Sequence, residues 1–200
     1  SDSLRYRLAG AAGLLTGVLL LFNDLRREDL VPENAVTESI APLPAVLALY
    51  ALTGFYLWQR HVAGVIGLIG YALNLAGVAG LLIAEFTSHF VVAGLTTAEV
   101  DALLDGRPRA GFLVIAAVFA IGVVLFSVAL WRSYPRWAVA LYAVGFLRAA
   151  LRGAVPDVVV SVGFLLGSAG VLGLSWTLWR VPSATPAARS RTRRASPATP

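Results

Sequence analysis

The chain has 200 residues, 58% of them hydrophobic and 14% charged, with a formal net charge of +5 and a mean hydropathy of +0.77. Soluble domains carry about a quarter charged residues, so this much apolar surface exceeds what a globule of this size hides, and lipid is its expected cover. Cysteine is absent, which excludes disulfides, thiolate metal sites, cysteine nucleophiles and lipidation on cysteine.

A spanning helix needs about 20 mainly apolar residues, and six runs qualify or come close. The first is 6–22. Arg5 and Arg7 precede it as in a secretory signal, but Asn23-Asp24-Leu25-Arg26 follows instead of a small-x-small cleavage site, so it reads as a retained helix. An acidic loop with two prolines is expected over 23–41. The second span, 43–58, opens at Pro42-Leu43-Pro44, where proline suits a helix start. The third is 62–86, after a tight turn at Gln59-Arg60-His61. Thr96 and Glu99 fit a capping box, and Val100, Leu103 and Leu104 then share one face until Gly106. A short amphipathic helix at the outer surface is expected there.

The fourth span is 110–131. A tight turn, Arg132-Ser133-Tyr134-Pro135-Arg136, leads into the fifth, 137–154, and Pro156 precedes the sixth, 157–179. Tight turns make spans two and three, and four and five, antiparallel neighbours. Residues 181–200 hold Ala, Pro, Ser, Thr and Arg. They lack the apolar residues to fold and are expected to be a disordered tail.

Threading six spans back and forth places the N-terminus, the second and fourth connections and the tail on one side. Those pieces hold ten arginines (Arg5, Arg7, Arg60, Arg132, Arg136, Arg180, Arg189, Arg191, Arg193, Arg194) and one acid, Asp2; the other connections and helix ends hold six arginines and ten acids. Arginine excess marks the cytoplasmic side. The predicted fold is therefore an all-α, six-helix transmembrane bundle with both termini cytoplasmic. Ala, Gly, Val, Leu and Arg without Lys point to a bacterial source, hence the bacterial inner membrane. The basic residues lie at helix ends and in the tail, where anionic lipid headgroups are the expected partner and nucleic acid is not. Spans two, four and six end alike, as Leu57-Trp58-Gln59-Arg60, Leu130-Trp131-Arg132 and Leu178-Trp179-Arg180. Interfacial anchoring explains this ending; a duplicated hairpin is the alternative.

Polar residues inside spans are costly, so they are where chemistry is sought. Arg148 lies eleven residues past Trp137, roughly 16 Å along the helix, near the expected bilayer middle. Arg152 follows one turn later on the same face. Asn74 is expected at a similar depth, with Glu85, His89 and Asp157 near the outer helix ends. One reading is an outward-opening polar cavity in which Arg148, Arg152 and Asn74 meet a ligand while Glu85 and Asp157 balance the charge. The other is an internal hydrogen-bond network joining spans three, five and six, or arginine snorkelling to the headgroups.

His61 and His89 fall on opposite sides and cannot share a cofactor. Glu85 and His89 at i, i+4 form at most a weak metal pair. Ser161, Ser168 and Ser175 lack a histidine base within any span. Gly163, Gly167, Gly170 and Gly173, and Gly13 and Gly17, make small-residue faces suited to close packing, with a homo-oligomer seam as a second use.

The run 126–133 (Phe-Ser-Val-Ala-Leu-Trp-Arg-Ser) followed by 135–141 (Pro-Arg-Trp-Ala-Val-Ala-Leu) resembles uncharacterised bacterial multi-pass integral membrane families, in which one helix ends in Arg-Ser and Pro-Arg opens the next. The resemblance covers about residues 110–180. It implies a six- to eight-helix inner-membrane protein and brings no catalytic residues with it. No cofactor is indicated by the sequence. The expected activity is non-enzymatic, an accessory subunit or a small-molecule binder or carrier. The alternative is an intramembrane enzyme acting on a lipid or isoprenoid substrate, with acids such as Glu85 and Asp157.

Overall fold

The computed structural model describes residues 2–32, 34–92, 94–151 and 156–180, without the side chains of Asp2 and Asp157. All regular structure among the described residues is helical, with no strand: α1 (Asp2–Arg27), α2 (Ala35–Ile40), α3 (Leu43–Phe86), a π-helical turn (Thr87–Val91), α4 (Thr97–Leu104), α5 (Arg107–Leu130), α6 (Arg136–Ala150) and α7 (Asp157–Trp179). Four segments are long and apolar enough to cross a membrane: Ser3–Arg27, Ala35–Val91, Arg107–Leu130 and Val158–Trp179. The expected tail, 181–200, and Arg152 and Glu33 lie outside the described residues.

Helix α3 is two antiparallel arms. Gly64, with φ 59° and ψ −166°, takes a backbone conformation open only to glycine, and the chain folds back there. Thr53 Oγ1 and Tyr71 Oη lie 3.1 Å apart, and the rings of Tyr56 and Tyr71 stack at 4.5 Å, so both pairs join the two arms across the reversal. The tight turn expected at Gln59-Arg60-His61 is thus displaced to Gly64. Gln59 is instead helical and buried, 1% exposed. A turn needs a residue tolerant of positive φ, and Gly64 is the nearest one.

Helix α1 also runs further than its apolar stretch. It continues to Arg27, so Asn23, Asp24 and Arg26, expected in a loop, are buried. The remainder of that expected loop holds α2, capped by Asn34 and Thr37. Helix α6 is shorter than expected and ends at Ala150. Its 15 residues extend only about 22 Å. The α5–α6 turn and the span at α7 fall where the sequence placed them. So does α4, with Thr96 as N-cap and Glu99 closing the box. Thr96 N and Oγ1 donate to Glu99 Oε2 at 2.8 and 2.7 Å. These bonds hold the exposed Glu99 carboxyl below the ordinary carboxylate range, the backbone bond being the larger cause.

Small residues set how closely the helices pack. On α1, Gly10, Gly13 and Gly17 lie against Trp179, Ser175 and Leu172 of α7. On the second arm of α3, Gly70, Gly77 and Gly80 meet Phe126, Phe119 and Ile115 of α5. On α6, Gly145 meets Gly167, and Gly170 of α7 meets Tyr142. In each pair the numbering rises along one helix as it falls along the other, so the neighbours are antiparallel. The expected small-residue faces on α1 and α7 are therefore used inside one chain, where they let backbones approach closely.

Antiparallel packing sorts the ends. Tyr6 meets Trp58 edge-on at 5.3 Å, and the Arg7 guanidinium lies 5.2 Å from the Trp179 ring centre. The starts of α1 and α6, the reversal in α3 and the ends of α5 and α7 therefore share one end of the bundle. That end holds all five tryptophans, at 58, 131, 137, 176 and 179. It is also the densely packed end. Phe55, Phe126, Leu130, Leu174 and Leu178 are essentially inaccessible. Tyr134, in the α5–α6 turn, donates to the Phe55 carbonyl at 3.3 Å. Burial, with a smaller contribution from Tyr6, pushes its phenol well above the ordinary range. The opposite end collects the acids.

Candidate functional site

The acidic half of the bundle is hollow. A cavity of about 240 Å³ lies between all the long helices. Alanines set its width: Ala45, Ala48 and Ala51 on the first arm of α3 leave space where larger side chains would fill it. Leu52, Phe55, Val78, Leu81, Ile115, Phe119, Phe146 and Phe164 supply most of the wall. Polar lining is sparse and falls mainly toward the acidic end, at Asn23, Arg27, Glu85 and Ser88, with Thr16 and Tyr142 deeper. Thr16 Oγ1 donates to the Ala12 carbonyl at 2.8 Å, so it offers the cavity little.

At the acidic end Arg27 Nη2 donates to Glu85 Oε1 at 2.9 Å, and the guanidinium lies 4.8 Å from the centre of the Phe164 ring. This contact ties α1, α3 and α7 together. Both side chains are about three-quarters buried, which screens the pair less than an exposed one. Glu85 Oε2 also lies 3.4 Å from His89 Nε2, and the same nitrogen is 3.1 Å from Arg26 Nη2. Close by, Ser161 Oγ donates to Glu28 Oε1. Asn23 Nδ2 donates to the Ala41 carbonyl at 2.9 Å, while Asn23 Oδ1 is buried without a hydrogen-bond partner.

The residues expected to form the site are only partly brought together. Glu85 lines the cavity. Arg148 does not: it is exposed, in the last turn of α6. The distance along the helix was right, but the helix is too short for that distance to be its middle. At a helix C-terminus a guanidinium also complements the helix dipole. Asn74 is fully buried and pairs with Tyr142 through its Nδ2, not with Arg148. It is Tyr142, not Asn74, that lines the cavity. Arg152 lies outside the described residues, as does the Asp157 side chain. The cavity is largely apolar, with Arg27 and Glu85 in its wall at the acidic end.

The sequence reading missed Arg27 and Asn23. Both sit past the apolar run of the first span, where polarity reads as loop. Their i, i+4 spacing, one helical turn, was the available signal. The Glu85–His89 pair is engaged with Arg27 and Arg26 rather than with a third acid or histidine. Among the described residues no group of three histidine, aspartate or glutamate side chains converges to hold a metal. No family model, curated protein or solved structure matches the chain.

Proposed function

We propose that the protein is a six-span protein of a bacterial plasma membrane, with the tryptophan-bearing end and both termini on the cytoplasmic side. Its cavity, facing outward, holds a small amphipathic molecule. The cavity is the observation that carries the reading: an accessory protein with a purely structural role needs no hollow here, and this one has an apolar wall with Arg27 and Glu85 at its acidic end. Few precisely placed polar groups in an apolar pocket are the usual mark of a small-molecule site.

The membrane assignment draws support from the surface. Val65, Val158, Leu113 and Ile83 are each more than 60% exposed, a pattern suited to lipid and costly in water. Six crossings follow if each arm of α3 spans and the short α6 is met by local thinning of the bilayer. The arginine-rich tail would then rest on anionic cytoplasmic headgroups, each arginine contributing about 1 kcal/mol.

Binding or carriage is preferred to catalysis because Glu85 is the single carboxylate on the cavity wall among the described residues. Acid–base chemistry on a lipid or isoprenoid calls for a converged set of groups. Native mass spectrometry of the protein released from bilayers tests this reading: a retained amphiphile is expected, and a ligand-free protein across several lipid extracts refutes it. Orientation has its own test. Because the chain lacks cysteine, a single cysteine placed at Ser133 or at Asp101 reports its side unambiguously. An impermeant maleimide added to intact cells should label the second and spare the first.

A further inference from the structure

From the cavity and the ion pair in its wall we infer that the ligand is an amphiphile whose anionic head, such as a phosphate, takes Arg27 from Glu85. The inference rests on the cavity being a ligand site, as proposed above.

Volume admits the apolar part. At about 240 Å³ the cavity exceeds the roughly 150 Å³ hollow that takes a benzene-sized apolar guest, so it has room for an apolar chain. One short chain, or the first part of a longer one, fits between Phe119, Phe146 and Leu52.

Charge selects the head. The Arg27 guanidinium presents a planar fork of donors that matches phosphate and carboxylate oxygens, and it stands in the cavity lining with Glu85 as its partner at 2.9 Å. The two come from different helices, α1 and α3, so the pair can part without unwinding either. Glu85, once displaced, keeps His89 beside it at 3.4 Å. An anionic head therefore exchanges one carboxylate for one phosphate at the guanidinium and leaves Glu85 a neighbour.

Isothermal titration of the full chain in neutral detergent tests the assignment, using three probes with the same short chain: lysophosphatidate, monoacylglycerol and the alkyl phosphate. Lysophosphatidate should bind about tenfold or more tightly than monoacylglycerol, the scale of a charge-assisted contact. The alkyl phosphate, which shares the anionic head, should bind more tightly than monoacylglycerol too. Arg27→Gln should bring lysophosphatidate down to the monoacylglycerol value. Glu85→Gln should tighten lysophosphatidate several-fold and leave monoacylglycerol unchanged, because it removes the competing carboxylate while keeping the shape. A purely structural ion pair predicts loosening from Glu85→Gln, and that result overturns the inference even if Arg27→Gln fails to fold. Equal binding of lysophosphatidate and monoacylglycerol overturns the head-group assignment while the cavity reading stands. Binding of none overturns both.

Discussion

Gly145→Ala tests whether backbone approach between α6 and α7 holds the hollow half together. A Cβ at position 145 would lie 2.1 Å from Gly167 N, 2.5 Å from Gly167 Cα and 2.6 Å from Gly163 O. All three are backbone atoms, so no side-chain rotation relieves the clash. To reach ordinary contact, which begins near 3.4 Å, the helices must separate by more than an ångström at this crossing. Gaps of 0.5–1 Å already forfeit about a quarter to a half of a contact's dispersion energy, and the seam continues through Gly170 against Tyr142. Overpacking of this kind costs about 1–3 kcal/mol. Alanine's better helix propensity returns up to about 1 kcal/mol. The net loss should be about 1–2 kcal/mol, an apparent Tm lower by roughly 2–8 °C for a chain of this size. Thermal melting in mild detergent, followed by tryptophan fluorescence, reads it directly, since Trp137 packs on Gly173 at the same seam. Gly111→Ala is the matched control, because nothing lies within 4 Å of that site, and it should leave Tm unchanged or raise it. Equal melting of the two variants would refute close packing at Gly145.

Tyr142→Phe should cost about 1–3 kcal/mol, since it strips fully buried Asn74 of its hydrogen-bond partner; the double variant with Asn74→Leu should recover part of that in the same melt, and additive losses would contradict the pairing. Gly64→Ala should destabilise by about 1–2 kcal/mol although its Cβ meets no atom within 4 Å, because the penalty lies in the positive φ; a Tm at or above the parent's would argue against the reversal there. The Glu99 carboxyl is held low by Thr96, so its cap on α4 is fully present above the ordinary carboxylate range and is lost as pH falls through the lowered value. Hydrogen-exchange protection in the first turn of α4 should drop at acid pH in the parent, and Glu99→Gln should flatten that dependence. Persistent acid sensitivity in the variant would assign it to another group.

The element pattern was largely legible because a helix able to cross lipid must be long and apolar, and few sequences meet that demand by accident. Capping and punctuation were legible too, in Thr96 with Glu99 and in the Pro135 and Pro156 starts, because each acts through its immediate neighbours. The positions of Asn23, Arg26 and Arg27 were not. Polarity after an apolar run reads as loop, and only Glu85, His89 and the Ala41 carbonyl, brought in by other helices, make it favourable for those residues to stay helical and buried. Arg148 was misplaced for a related reason. Its depth depends on where α6 stops, and the span was expected to run on to 154, past the stop at Ala150, although Gly153 and Pro156 follow closely.

By itself, then, the order of residues determined an all-helical chain, the sorting of arginine from acid, and the location of most turns, since all three depend on local composition. Tertiary structure decided that the reversal falls at Gly64, that the small-residue faces close on one another within one chain, and that the acidic half is left hollow with Arg27 and Glu85 in its wall. These depend on distances between helices remote in sequence, and such distances are set by which side chains are small enough to let two backbones meet.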